Sequence, residues 1–301
     1  MRFNDKSCGK SPCGKEASGA FLISVGTRIG SITTQVPLDP VDTRILLCHA
    51  LGLSRIQLIT QSERMLTSDE AANFSLLLQR RIAGEPIAYI IGEREFYGLP
   101  FHVTPDVLIP RPETELLVDL ALERLPVNGS MLDMGTGSGA IAVAVAHERP
   151  DAAVTAVDVS SAALAIARTN EKRNLGPNAR IVFIKSNWYE GLDESVRFNL
   201  IVSNPPYIAE GDEHLSRGDL RFEPPDALTD HADGLSAVRT LASGSLPRLN
   251  PGSWLLMEHG YDQAHAVRNI LIAQGYDSVQ SWSDLAGIER VSGGVKSAGS
   301  R

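Results

Sequence analysis

Asn204-Pro205-Pro206-Tyr207 follows an apolar run, Leu200-Ile201-Val202-Ser203, with the composition of a buried parallel strand. An Asn at the carboxyl end of such a strand, stiffened by two prolines and followed by an aromatic ring, can hold a planar NH2 group. The Asn204 side-chain oxygen and a backbone carbonyl beside it can each accept one N–H. The Tyr207 ring can lie against the flat face of the bound group. Methylating an amide or exocyclic amine nitrogen requires such a grip, because the delocalised lone pair must be aimed. The same four residues would also serve as a Pro-Pro turn that merely closes a strand, and alone they favour neither use.

A second group lies upstream. Met131-Leu132-Asp133-Met134 leads into Gly135-Thr136-Gly137-Ser138-Gly139 and then an Ala-rich segment. Glycines here let the backbone bend sharply and approach a ligand at a helix N-terminus. Gly135, Gly137 and Ala140 also satisfy the loose dinucleotide pattern, which is a weak signal. Asp158 ends the next apolar run, where a carboxylate can accept both ribose hydroxyls of a nucleoside; it can equally cap the helix ahead of Ser161. Asp133 two residues before the loop, and a third glycine only four after the first, suit S-adenosylmethionine better than a pyrophosphate. Asn187-Trp188 can flank an adenine, or Trp188 can simply pack on the core.

These residues need a frame. Strands are expected at 131–134, 154–157, 181–184, 200–203 and 254–257, with candidate last strands at 276–279 and 289–291. Helices are expected at 140–147, 161–174, 236–249 and 263–274. The alternation predicts an α/β doubly wound sheet, mostly parallel, with ligands outside the carboxyl ends of its strands. Residues 93–110 carry a hairpin around Gly98 and the Pro110, Pro112 segment, which leads into a helix near Glu113. Residues 40–92 form a small helical module, with a stop at Gly52 and a capping box at Thr67-Ser68-Asp69-Glu70. Residues 1–39 have the Gly, Ser, Lys and Pro mixture of a disordered extension, and residues 294–301 that of a tail. The catalytic domain is expected over 111–293.

Bulk properties narrow the classes. Composition is that of an ordinary globular protein, 43% hydrophobic and 21% charged. No apolar run approaches a membrane span and no signal peptide is evident. Cys8, Cys13 and Cys48 form no metal-binding pattern, so no metal is expected, and they fit a reducing cytoplasm. Residues 101–301 carry 17 basic and 26 acidic side chains, a poor partner for a phosphate backbone.

Taken together and in order, Glu93-x-Glu95-Phe96, Ile109-Pro110-Arg111-Pro112-x-Thr114-Glu115, the Asp133 to Gly139 loop, Asn204-Pro205-Pro206-Tyr207, Arg221-Phe222-Glu223-Pro224 and Glu258-His259-Gly260 resemble the HemK/PrmC family. These are glutamine methyltransferases of class I peptide-chain release factors. The resemblance covers roughly residues 40–293 and implies a class I, Rossmann-like, S-adenosylmethionine-dependent fold. It implies methyl transfer to the side-chain amide nitrogen of the Gln in the factors' Gly-Gly-Gln tip. A cytoplasmic monomer is expected, since nothing in the sequence demands more than one chain. It further implies cofactor contacts from Gly135, Thr136, Gly137, Ser138, Gly139, Asp158, Trp188 and Asn204. Asn204 and the Pro205 carbonyl would grip the Gln amide as catalytic groups, with Pro206 and Tyr207 completing the pocket. The family's usual Asp before the Trp is Asn187 here, which loses a charge. An amino-methyltransferase acting on a base of RNA or DNA is the alternative, since it shares the Asn-Pro-Pro-Tyr corner. An NAD-dependent oxidoreductase would leave that corner unused, and the intact Asp133, Gly135, Asp158 and Asn204 argue against a non-catalytic relic.

Overall fold

Capping residues set the helix boundaries of the N-terminal part. A computed structural model of the chain describes residues 21–177 and 180–298, and the chain divides into two compact units at Ala83/Gly84. The first unit carries α1 (Ile29–Gln35), α2 (Pro40–Leu51), α3 (Arg55–Thr60) and α4 (Ser68–Ile82). Asp39 caps α2 through Val41 N–H at 2.7 Å, and Pro40 opens it. Gly52 stops it at φ 63°, a left-handed conformation that favours glycine. Ser54 and Thr67 each close a full capping box, with Gln57 and Glu70.

One feature differs from the expected extension. Helix α1 lies within residues 1–39, with Ile29 and Ile32 buried. Backbone bonds from Gly26 to Leu66 and from Ile29 to Arg64 tie this segment down. A seven-residue helix without a side-chain cap leaves little sequence signal. Residues 1–20, including Cys8 and Cys13, lie outside the described residues. At the other end, α5 (Ile87–Ile91) groups with the second compact unit.

The second unit continues with β1 (Glu93–Phe96) and β2 (Leu99–His102), an antiparallel hairpin. Its turn, Tyr97-Gly98, has positive φ at both residues, the conformation that matches hairpin twist. A 3-10 turn, Pro112–Thr114, precedes α6 (Glu115–Arg124). Then follow β3 (Ser130–Met134), α7 (Ala140–Glu148), β4 (Ala153–Asp158), α8 (Ser161–Leu175), β5 (Val182–Lys185), β6 (Phe198–Ser203), α9 (Pro225–Leu228), α10 (Ser236–Ser245), β7 (Leu249–Glu258), α11 (Ala264–Gln274), β8 (Tyr276–Ser283) and β9 (Glu289–Lys296). The expected tail from residue 294 therefore begins as the end of β9.

The sheet order is β5-β4-β3-β6-β7-β9-β8, parallel except for the antiparallel pairs made by β9. Alternate residues serve opposite faces. Met131, Val154, Leu200 and Leu256 join one core cluster with α6 and α7. Leu132, Val157, Ile201 and Leu255 join the other with α10 and α11. A sheet covered on both faces explains why these strands read as continuous apolar runs. The strand order reverses at β3, flanked by β4 and β6, so a crevice opens beyond the carboxyl ends of these three strands.

Candidate active site

That crevice is a cavity of about 290 Å³. The loop after β3 forms one wall. Gly135, Gly137 and Gly139 have φ of 72°, 55° and 81°, which side chains rarely adopt. A Cβ added at Gly135 or Gly137 would meet nothing within 4 Å, so both face open space. At Gly139 it would come within 3.0 Å of the Ala167 Cβ on α8, so this glycine serves helix packing and does not line the cavity.

Backbone bonds hold the loop to the next strand: Gly135 and Thr136 N–H both donate to the Val157 carbonyl at 2.9 Å. Asp133 is fully buried and accepts the Thr136 hydroxyl at 2.6 Å, while its Oδ1 finds no partner among the described residues. Burial pushes its carboxyl up to about 7, against the Thr136 bond. Asn170, buried on α8, donates to the Ser138 carbonyl at 2.9 Å and to the His102 carbonyl at 3.0 Å.

Asp158 stands at the end of β4 on the cavity wall. It does not cap α8; Ser160 does, accepting from Ala163 N–H. Asp158 instead accepts Gly137 N–H and Ser160 N–H, both at 2.8 Å. Each oxygen keeps lone pairs for hydroxyl donors. Burial raises its carboxyl, opposed by those backbone bonds. Trp188 packs on the second core cluster, as one sequence reading had it, and also lines the cavity. Its φ of 49° is unusual for a bulky residue. Asn187 also lines the cavity and donates to Glu190 at 2.8 Å.

Asn204 and Pro206 line the opposite side. The Ser203 hydroxyl donates to the Met134 carbonyl at 2.7 Å, locking the end of β6 to β3. Asn204 donates its Nδ2 to the Thr114 hydroxyl at 3.1 Å. Pro205 and Tyr207 do not line the cavity; Pro205 is buried, and the Tyr207 carbonyl accepts from Gln263 Nε2 at 2.9 Å. Burial and the nearby Glu258 charge push the Tyr207 phenol up.

The segment before α6 supplies wall residues to which sequence assigned no contact, among them Val107, Arg111 and Thr114. Arg111 pairs with Glu223, whose side chain is wholly buried and also accepts Ile109 N–H at 3.1 Å. Burial raises the Glu223 carboxyl and the Arg111 guanidinium opposes this. The Ile-Pro-Arg-Pro and Arg-Phe-Glu-Pro segments thus form one clamp. Their joint presence in the sequence was the signal; their pairing was not readable from it. Among the described residues no cluster of side chains fits a metal ion.

The arrangement can therefore place a nucleoside carrying a short arm along the glycine loop and a planar nitrogen group at Asn204. Two family models match: the PrmC N-terminal domain over residues 33–92 and the methyltransferase small domain over residues 112–219. The chain is 56% identical to a release factor glutamine methyltransferase of Burkholderia pseudomallei, over 86% of this chain and 92% of that protein. It is 51% identical to one of Neisseria gonorrhoeae, over 84% and 92%. A solved methyltransferase structure from Pyrococcus furiosus superposes with a TM-score of 0.51 at 21% identity, covering 72% of this chain and 96% of that one, a likeness of fold. By these matches the chain belongs to the release factor glutamine methyltransferase family and has the class I methyltransferase fold.

Proposed function

We propose that the protein transfers a methyl group from S-adenosylmethionine to the side-chain amide nitrogen of the Gln in the Gly-Gly-Gln tip of class I release factors. The observation carrying this is one cavity shared by the glycine loop, Asp158 and Asn204, in a chain so similar to enzymes of that name.

Gly135, Thr136, Gly137 and Ser138 would hold the methionine arm, with Gly139 setting the helix behind them. Asp158 would accept the ribose hydroxyls, Trp188 would lie beside the adenine, and Asn204 would stand where methyl and acceptor meet. Bound there, the cofactor supplies a methyl group on a positively charged sulfur, a donor that needs no activation. The protein's task is the acceptor, since conjugation leaves an amide nitrogen almost without nucleophilicity. The Asn204 oxygen, on the cavity wall, would accept one of its N–H groups and fix its direction, which can supply several kcal/mol. As positive charge grows on nitrogen, that dipole would favour the state, with the buried Pro205 holding Asn204 in place from behind. Pro206 forms the wall, and Tyr207 supports the corner through its Gln263 bond.

We infer that the N-terminal helices recognise the folded factor, selecting one Gln among many. The substrate, a translation factor, suits a cytoplasmic enzyme, and all proposed site residues come from one chain, as a monomer requires. No helix among the described residues is long and apolar enough to cross a membrane.

Labelled S-adenosylmethionine tests the reading with a purified release factor and the same factor bearing Ala for its tip Gln. Label on the first alone is expected. Label on both would mean another acceptor atom. Label on neither, with cofactor binding intact, would point to RNA or DNA bases.

A further inference from the structure

Pro205 and Pro206 carry no N–H, so the two residues after Asn204 cannot fix the corner by backbone donation. Its entry is tied by the Ser203 hydroxyl on the Met134 carbonyl. At its exit the Tyr207 carbonyl accepts from Gln263 Nε2 at 2.9 Å. Gln263 sits at the N-cap position of α11, yet its side chain makes no cap there. Its Nε2 also donates to the Gly234 carbonyl at 3.2 Å, and its Oε1 accepts Gly260 N–H at 2.8 Å. We propose that Gln263, braced by His259 and Gly260, is a positioning residue that sets the exit of the corner and so aims the Asn204 oxygen at the acceptor nitrogen. The proposal rests on the assignment of Asn204 above.

Counting donors and acceptors allows one arrangement. A primary amide has one accepting side and one donating side. Gln263 meets one N–H and two carbonyls, so turning its amide over would break all three bonds. Gly260 is fixed in turn. His259 is 0% exposed and its Nδ1 lies 2.9 Å from the Gly260 carbonyl, so Nδ1 carries the proton. Burial holds the ring below its ordinary pKa, which leaves Nε2 bare as an acceptor. Ser292 must then donate to Nε2 at 2.8 Å, and Ser281 to Ser292 at 2.7 Å. Arg268, which can only donate, completes the order on Ser281 at 2.5 Å. The antiparallel strands β8 and β9 thereby lock the peptide that holds Gln263.

Space around the junction is equally restricted. A Cβ added at Gly234 would lie 2.5 Å from the Tyr207 carbonyl oxygen and 3.0 Å from Gln263 Nε2. Only glycine leaves room there for the carbonyl and the amide to meet, and its φ of 77° suits no other residue well. A displacement of about 1 Å at a reacting group can cost on the order of 100-fold in rate, so a pin on the corner reaches the chemistry without touching substrate.

The test measures kcat per cofactor-binding site, KM for a purified release factor and cofactor Kd in Gln263→Met, Gln263→Glu, Asn204→Ala and the Asn204→Ala/Gln263→Met double variant. Counting cofactor-binding sites removes unfolded protein from the comparison. Gln263→Met keeps the length and loses all three bonds. Its kcat should fall by about 10- to 100-fold, the scale of a misplaced catalytic contact, with KM and cofactor Kd little changed. Gln263→Glu keeps the shape, but its ionised carboxylate faces two carbonyls and should be slower than Gln263→Met. Once protonated, the introduced carboxyl can donate to Tyr207 again, so kcat relative to wild type should rise as pH is lowered from about 8 to about 5. The double variant should be no slower than Asn204→Ala, because Gln263 acts through Asn204.

Wild-type kcat in Gln263→Met, a kcat ratio in Gln263→Glu that does not change with pH, or additive losses in the double variant would each overturn the proposal. Should Gln263→Met not bind cofactor, the Gln263→Glu pH profile decides. Full turnover by Asn204→Ala would overturn the assignment of Asn204 itself, which keeps the two failures apart.

Discussion

The two sides of the cavity are held in different ways. The wall proposed for the cofactor is backbone work: Gly135 and Gly137 at positive φ, two N–H groups on the Val157 carbonyl, and Asp158 accepting two more. The wall proposed for the acceptor is side-chain work across long sequence distances. Thr114 reaches Asn204 over 90 positions, and Arg111 reaches Glu223 over 112. A backbone-built wall tolerates many side chains provided its glycines stay. A wall of paired side chains fails as soon as one partner is lost.

Substitutions on each side should separate these two modes. Asn204→Ala should cost the most, roughly 100- to 1,000-fold in turnover, the scale seen for losing one charge-stabilising contact. Cofactor binding, measured by calorimetry, should stay close to wild type; a parallel loss of both would assign Asn204 to the cofactor instead. Arg111→Met leaves the buried Glu223 without its cation, which should lower stability by about 2–4 kcal/mol in urea unfolding. An unchanged midpoint would mean that Glu223 is neutral and the clamp is weak.

Gly137→Ala should act on the other side, forcing a Cβ into left-handed backbone at about 1–2 kcal/mol. That predicts roughly ten-fold weaker cofactor binding with kcat at saturation largely kept. A fall in kcat alone would erase the distinction between the two walls.

The smallest effect concerns Asp133. Its carboxyl is raised from 3.8 to about 7, so the folded state holds a proton that the unfolded chain has released. Its contribution to stability is full below the unfolded value and is lost as pH rises through about 7. Melting temperatures compared between about pH 5 and pH 8 should fall less in Asp133→Asn than in wild type. Equal falls would show that Asp133 is ionised throughout.

The same contrast governs how much the sequence disclosed. The glycine loop, Asp158 and each strand of the parallel sheet follow from local pattern, because strand period and glycine φ depend on near neighbours. Strand ends moved by a few residues, most at β7, which runs Leu249–Glu258 against an expected 254–257. Asn204 was legible because its strand and two prolines are contiguous with it. Thr114 and Glu223 were visible as residues of motifs, but their partners are set by how separate segments fold together. Helix α1 escaped because two buried isoleucines in a polar stretch carry too little periodicity. Tyr207 and Gly139 were read from the residues themselves and Pro205 from the resemblance to a known family, and none of the three is among the residues lining the cavity.

Asn170 joins two places far apart in the chain. It accepts the His102 N–H at 2.7 Å and donates to the carbonyls of His102 and Ser138. Its exposure is 0%, so breaking these bonds would strand buried polar groups without water to replace them. The hairpin and the glycine loop must therefore open as one cooperative unit. Amide exchange at His102 then becomes a remote gauge of the cavity: it should slow when cofactor is added, although His102 does not line the cavity.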